Sequence, residues 1–474
     1  MGQKITISPV TRIEGHAKIT IHLDDGGHVE RALFHVEQFR GFEKFSEGRM
    51  YYEMAQITPR ICGICPVSHH LAATKAADAI AGTRPTPTAH KLRELLHMGQ
   101  VIQSHGMHFF ELAGPDLILG FDALPKVRNV AGLIAAQPDL ALKAVQLRAF
   151  GQEIIRTLGG RRIHPLFGVP GGVSQPLRPA ERDPLRRGVE KEIAAAQTGL
   201  RVWRDWAARN QETLAEYAVF PSAYLGTVRE DGALDLYEGR LRLMDAAGGL
   251  ITEFAPRDYL DHIGQHVEPY SYLKFPFYKP VGWPGGVYRV GPLARLNVAT
   301  HIRTPLAQAE MVRWKALGGG KPVEGTLQYH YARLIELLYA LERAAELLDD
   351  RDITGEEIAN PAGAITGEGV GCLEAPRGTL IHHYRTDERG VITRVNLIVA
   401  TGHNNWAMNH AVNLVARRYM DGLPPTEGIL NRIEAAIRAH DPCLSCSTHA
   451  LGKMPIRLEF LAPDGRLLHT LCRD

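Results

Sequence analysis

Cysteine is scarce in this chain: six among 474 residues, too few for a disulfide framework. An excess of either charge sign is also missing, since 54 basic residues meet 52 acidic ones and leave a net charge of +2. No dense lysine or arginine run occurs, so no nucleic-acid partner is expected. No stretch reaches the roughly 18 consecutive apolar residues of a membrane-spanning helix. Met1–Val10 also lacks the apolar core of a secretory signal. The expectation is a cytoplasmic protein with no direct membrane span. Repeats, low-complexity tracts and flexible linkers are absent too. What is present is an ordinary globular balance, 45% hydrophobic and 22% charged, able to fill a large core.

Patterning suggests one α+β body, mainly helical, with a long-helix bundle at its core and small peripheral sheets. Residues Lys4–Val36 alternate around a turn at Asp24–Gly27 and predict a small antiparallel sheet. Glu43 to Tyr217 reads as helical, broken at Pro85, Pro87 and the Gly159–Gly172 stretch, with one long amphipathic helix over Pro179–Tyr217. Ala233–Gly325 reads as short strands and loops. Glu324–Asp350 carries leucines at three- to four-residue spacing and predicts a helix. Gly371–Ala400 predicts a hairpin around Asp387–Gly390, and Asn404–Met420 another helix.

Four of the cysteines form two CxxC pairs, Arg60-Ile61-Cys62-Gly63-Ile64-Cys65-Pro66 and Asp441-Pro442-Cys443-Leu444-Ser445-Cys446. Each has an adjacent proline, which predicts a helix N-terminus where unpaired N–H groups and the helix dipole favour thiolate. Two half-sites of two sulfurs make four soft ligands for one transition metal. A structural zinc site is the plain alternative, yet zinc pairs usually lie about 15–20 residues apart. Here nearly the whole chain separates them. A thioredoxin-like dithiol would need one pair only and leaves the other unexplained.

The motifs Arg-x-Cys-Gly-x-Cys-x-x-x-His (Arg60–His69) and Asp-Pro-Cys-x-x-Cys-x-x-His (Asp441–His449) resemble the paired signatures of nickel–iron hydrogenase large subunits. The likeness continues through Arg12–His16, Arg40–Glu43, Gly291–Arg295 and Glu374–Gly378, in family order. It implies the fold that this family shares with the quinone-site subunit of respiratory complex I, which does not keep all four cysteines. The activity implied is reversible heterolytic cleavage of dihydrogen.

By that resemblance Cys62, Cys65, Cys443 and Cys446 are nickel ligands, and Cys65 and Cys446 also reach an iron that carries one carbon monoxide and two cyanides. Arg377 would hold one cyanide with Pro376 beside it, Thr401 the other, and His69 would donate to a cysteine sulfur. Cys443 is the expected first proton acceptor and Glu14 the relay beyond it, with Arg377 a rival for the first step. Asp116 and Asp441 resemble acidic residues lining the same pocket, although Asp441 could equally be a helix N-cap. Glu43, the carbonyl of Leu397 and His449 resemble ligands of a magnesium ion.

With only Cys372 and Cys472 left over, this chain has no cysteine set for an iron–sulfur relay. Gly367–Gly371 is a poor dinucleotide motif because it precedes a strand. Iron–sulfur clusters and flavin are therefore expected on partners only. These partners are an iron–sulfur small subunit joined, from the likeness of His266–Pro276 to bidirectional enzymes, by an NAD-reducing diaphorase module. Hydrogenases serving heterodisulfide reductase or a deazaflavin are the near alternative. Residues 1–449 form the expected catalytic domain. Residues 450–474, read as a hairpin around Ala462–Gly465, resemble an extension that a maturation endopeptidase removes after His449.

Overall fold

The computed structural model describes residues 3–448, 456–462 and 466–473. Helix α1 (Pro66–Ile80) starts one residue after Cys65. Helices α2 (Pro87–Gly106), α3 (Pro138–Gly159), α4 (Pro179–Arg209) and α5 (Gln328–Asp349) follow. These last four make the central bundle, α2 and α4 each packing on both α3 and α5. Local chemistry starts α2 well, with the Thr86 hydroxyl accepting from Ala89 N at 3.1 Å and Pro87 in the first helical position. Tyr329–Glu342 of α5 is buried on every side, as a bundle centre requires.

Small sheets surround the bundle. Strands β1 (Lys4–Ile7), β2 (Ala17–Leu23) and β3 (Val29–Val36) form the expected antiparallel meander. Strands β4 (Glu368–Ala375), β5 (Gly378–Thr386) and β6 (Ile392–Ile398) form another, with the β5–β6 turn at Asp387–Gly390. Strand β4 lies directly on α1: a Cβ on Gly371 would fall 1.9 Å from the Ala72 carbonyl, so only glycine permits this approach. The contact fixes the β4–β5 turn, Pro376-Arg377, relative to the cysteine that opens α1. Helices α6 (Asn405–Met420) and α7 (Glu427–Ala439) complete the body, and β7 (Ile456–Leu461) pairs with β8 (Leu467–Arg473) as the expected C-terminal hairpin.

Several expectations need correction. The helix over 179–217 breaks at Asn210, whose side chain turns back to donate to the Trp206 carbonyl at 2.8 Å, and resumes briefly over Gln211–Glu216. Ala233–Gly325 also holds the one-turn helix Tyr259–His262 and two longer ones, Pro292–Val298 and Pro305–Ala316, the last without an apolar stripe to announce it. The 371–400 hairpin is three strands and begins at Glu368. The second CxxC opens no α-helix, since Pro442 leads into a single 3-10 turn, Leu444–Cys446. Asp441 takes a left-handed φ of 54° and is not an N-cap.

Buried histidines make the core acid-sensitive. Burial lowers His70, His97 and His105 to about 4, and His403 and His440 to about 3, against 6.5 for the free side chain. The folded chain therefore binds fewer protons than the unfolded chain once the pH drops below 6.5. Stability is full above that value and is lost as the pH falls toward 4. Each such histidine is worth on the order of 3 kcal/mol at 1.36 kcal/mol per pH unit. The thermal midpoint should fall steeply between pH 6.5 and 4, and a flat profile there would contradict this account.

Candidate metal centre

The two CxxC pairs meet in one buried cluster. Cys65 caps α1 and Cys62 sits just before it, while Cys443 and Cys446 lie on the 3-10 turn after α7. The Sγ atoms of Cys62 and Cys443 are 3.2 Å apart, those of Cys65 and Cys446 3.2 Å, those of Cys443 and Cys446 2.9 Å, and those of Cys65 and Cys443 4.0 Å. All four ligand atoms fall within 4.8 Å of one another. Hydrogen bonding within the sulfur cluster pulls Cys62 well below the ordinary thiol value. Burial drives Cys443 and Cys446 well above it. So dry a cluster needs metal cations to hold four thiolates.

The walls carry polar groups aimed inward. Arg377 donates from Nη2 to Asp441 Oδ1 at 3.0 Å, yet its Nε and Nη1 and the Asp441 Oδ2 are buried without a partner among the described residues. Burial alone would lower the Arg377 pKa, but the charges of Asp441 and Cys443 outweigh it and keep the guanidinium charged. Burial raises Asp441 against the pull of Arg377 and Arg333. The Thr401 hydroxyl accepts from Cys443 N at 2.9 Å and so keeps its own proton to donate. Glu14 Oε2 accepts from Cys443 Sγ at 3.0 Å and from Ser445 N at 3.1 Å. Four soft donors and orphaned guanidinium N–H groups suit a nickel–iron group with small anionic ligands.

The HoxL-like family matches residues 4–39, and the nickel-dependent hydrogenase family matches residues 40–148 and 225–449. The chain belongs to the nickel-dependent hydrogenases. It is 46% identical to the NAD-reducing hydrogenase HoxS subunit beta of Cupriavidus necator, over the full length of both chains. It is also 46% identical to a chain of the F420-non-reducing hydrogenase of Methanothermobacter thermautotrophicus, covering 94% of this chain and 95% of that one. A crystal structure of an NAD+-reducing [NiFe]-hydrogenase in the H2-reduced state superposes with a TM-score of 0.92 at 45% identity, covering 94% of this chain and 99% of that one. The as-isolated oxidised Ni-Fe-Se hydrogenase of Desulfovibrio vulgaris Hildenborough shares the fold, with a TM-score of 0.77, 24% identity, and 95% and 100% of the two chains covered. The protein is thus a hydrogenase large subunit, and its reaction is the cleavage of dihydrogen.

The remaining site residues of the hydrogenase divide by position. The Pro376 carbonyl accepts from Arg295 Nη2 at 3.1 Å, which anchors the turn that carries Arg377. His69 Nδ1 meets His382 Nε2 at 3.0 Å, so a second histidine orients the ring expected to serve a sulfur. Glu43 Oε1 accepts from the main-chain N–H of Leu397 at 2.7 Å, near the Lys274 ammonium. Glu43 and Leu397 do come together, though through the N–H rather than the carbonyl. His449 lies outside the described residues. Asp116 sits against Arg12, Arg438 and Asn431, and none of its hydrogen bonds among the described residues goes to a sulfur. Sequence reasoning gave no role to His382, Arg295 or Arg438, because the contacts that tie them to the site, to His69, Glu336 and Asp116, lie 313, 41 and 322 positions away.

Proposed function

We propose that this hydrogenase subunit is the hydrogen-activating half of a cytoplasmic, NAD-linked complex. Likeness to an NAD-reducing relative over the full length of both chains in sequence, and over 94% of this chain in fold to an NAD+-reducing structure, supports the NAD linkage. Electrons would leave through an iron–sulfur small subunit to a flavin-bearing diaphorase module. The equally similar F420-non-reducing relative keeps a second acceptor in view. Among the described residues no helix is long and apolar enough to cross a membrane. The deciding experiment purifies the assembled complex under dihydrogen and follows NAD reduction. Hydrogen uptake with an artificial dye but none with NAD would refute the NAD reading.

Within this reading Cys62, Cys65, Cys443 and Cys446 hold the nickel–iron group, which supplies the redox chemistry that splits dihydrogen. Arg377, through its free Nε–H and Nη1–H, and Thr401, through its hydroxyl, would donate to two cyanides on iron beside the carbon monoxide, with Pro376 alongside. His69 supports the sulfurs. Glu43, Leu397 and His449 would hold a magnesium ion, the carboxylate beside the Leu397 main chain favouring it.

The contact from Cys443 Sγ to Glu14 Oε2 carries the proton reading: the thiol proton already points at a carboxylate that can pass it on. The rival first acceptor, Arg377, would have to give up a proton before taking one, against the Asp441 and Cys443 charges that hold it cationic. Glu14→Gln keeps size and hydrogen bonding but removes the titratable proton. Hydrogen–deuterium exchange should then drop by about 10²-fold or more while the subunit still assembles. Exchange at the wild-type rate would exclude Glu14. Residues 450–474, with hairpin β7–β8, are proposed as an extension that a maturation endopeptidase cuts after His449. The nickel-loaded subunit should have the mass of residues 1–449, and a full-length mass would refute the cut.

A further inference from the structure

Asp116, one of the acidic residues expected near the centre, is surrounded by arginines. It is almost fully buried, on the short helix Gly114–Leu119. It receives Arg12 Nη2 on Oδ1 and Arg438 Nη1 on Oδ2, Asn431 Nδ2 also reaches Oδ1 at 3.0 Å, and Arg128 Nε stands 3.8 Å away. Burial alone would raise its pKa, but the charges of Arg438 and Arg12 outweigh burial and hold it below the ordinary carboxylate range.

The two arginines stitch together the segments that carry Glu14 and Cys443. Arg438, on α7, donates from Nη2 to the Thr11 carbonyl at 3.2 Å, while Glu434 of the same helix accepts from Thr11 N at 3.0 Å and from its hydroxyl at 2.7 Å. Arg12 also donates to the Leu112 carbonyl at 2.8 Å and to Asn431 Oδ1 at 3.0 Å. Its φ of 56° is left-handed, a strained conformation for a side-chain-bearing residue that persists only where its surroundings enforce it. Two residues later the Glu14 carbonyl accepts from Leu444 N at 3.1 Å. A Cβ on Gly15 would come within 2.7 Å of Leu444 Cβ, so the two backbones are in direct contact.

We propose that Asp116 is a positioning residue for proton transfer: by holding Arg12 and Arg438 together it fixes residues 11–14 on α7 and so keeps the Glu14 carboxylate on Cys443. The inference rests on Glu14 being the relay. Without the Asp116 charge the two neighbouring guanidiniums repel, and the 11–14 segment shifts relative to the 443–446 turn. A displacement of about 1 Å at a reacting group costs ~10²-fold in rate.

The test compares assembled wild-type complex with Glu14→Gln, Asp116→Asn, Arg12→Gln and the Glu14→Gln/Asp116→Asn double variant. Hydrogen–deuterium exchange, nickel content, the infrared stretches of the iron ligands and the carboxyl stretch of Glu14 are read for each. Asp116→Asn should slow exchange by ~10²-fold and shift the Glu14 stretch, with nickel content and iron-ligand stretches as in wild type. The double variant should be no slower than Glu14→Gln alone, because both changes break one route. Arg12→Gln, which leaves the Asp116–Arg438 pair intact, should act in the same direction and decides the matter if Asp116→Asn does not fold. Wild-type exchange in Glu14→Gln would sink the relay and the clamp with it. Slow exchange in Glu14→Gln beside wild-type exchange in Asp116→Asn and Arg12→Gln would overturn the clamp alone. Lost nickel, altered iron-ligand stretches or additive rate losses would also overturn it.

Discussion

Replacing any one of Cys62, Cys65, Cys443 or Cys446 with serine should abolish hydrogen oxidation and leave the subunit without stoichiometric nickel. The four sulfurs lie within 4.8 Å of one another in a dry pocket, so each is a direct ligand candidate and, among the described residues, no other thiol joins the cluster to replace it. Serine oxygen is hard, sits closer to its own backbone, and stays protonated where a thiol gives up its proton. The loss should exceed the 10–100-fold typical of removing a group behind a ligand. Folding should survive, because serine is no larger than cysteine and the surrounding helices do not depend on the sulfur. Metal analysis beside hydrogen–deuterium exchange is the measurement. Full nickel occupancy with normal turnover in any of the four variants would remove that cysteine from the centre.

Arg295→Met should destabilise the subunit more than any surface change. Arg295 gives Nε and Nη2 to the two oxygens of Glu336, each at 2.6 Å, and Nη1 to Glu374 at 2.9 Å, all three side chains being fully buried. Losing the cation leaves two carboxylates uncompensated in the interior, a loss of about 3–5 kcal/mol. His105, 2.9 Å from Glu336, is lowered to about 4 by burial in the intact network and so is no second cation there. The same arginine donates to the carbonyls of Ala375 and Pro376, so the turn that carries Arg377 loses its anchor too. Denaturant unfolding should show the drop, and adding Glu336→Gln and Glu374→Gln should recover much of the stability but not the activity. Unchanged stability in the single variant would mean that the network relaxes far more readily than its packing suggests.

The cysteines were readable because spacing and neighbouring prolines are local signals, and because thiolate chemistry limits what two distant CxxC pairs can do. The meander of Lys4–Val36 and the Asp387–Gly390 turn were readable for the same reason: alternation and turn residues act over a few positions. Other features lie beyond local reading. Arg295 stands in a quoted motif, yet nothing nearby signals that Glu336 lies 41 positions on and Glu374 79. His69 has its partner 313 positions away. Nothing near Asp116 in the sequence signals that its charge answers Arg12 and Arg438, 104 and 322 positions away. Pro442 promised a helix, but so few residues follow it in regular form that only one 3-10 turn results.

Cys62 and Cys443, whose sulfurs touch, are separated by 381 positions. The order of synthesis gives that separation a consequence. A ribosome finishes the whole bundle before the last two ligands exist, so the four-sulfur centre cannot be completed on the growing chain until its end. Closing so long a loop in one step would be slow, although its entropy rises only logarithmically with length. The body must fold first and hold Cys62 and Cys65 in place, and the 443–446 turn arrives last, as the piece that shuts the cage.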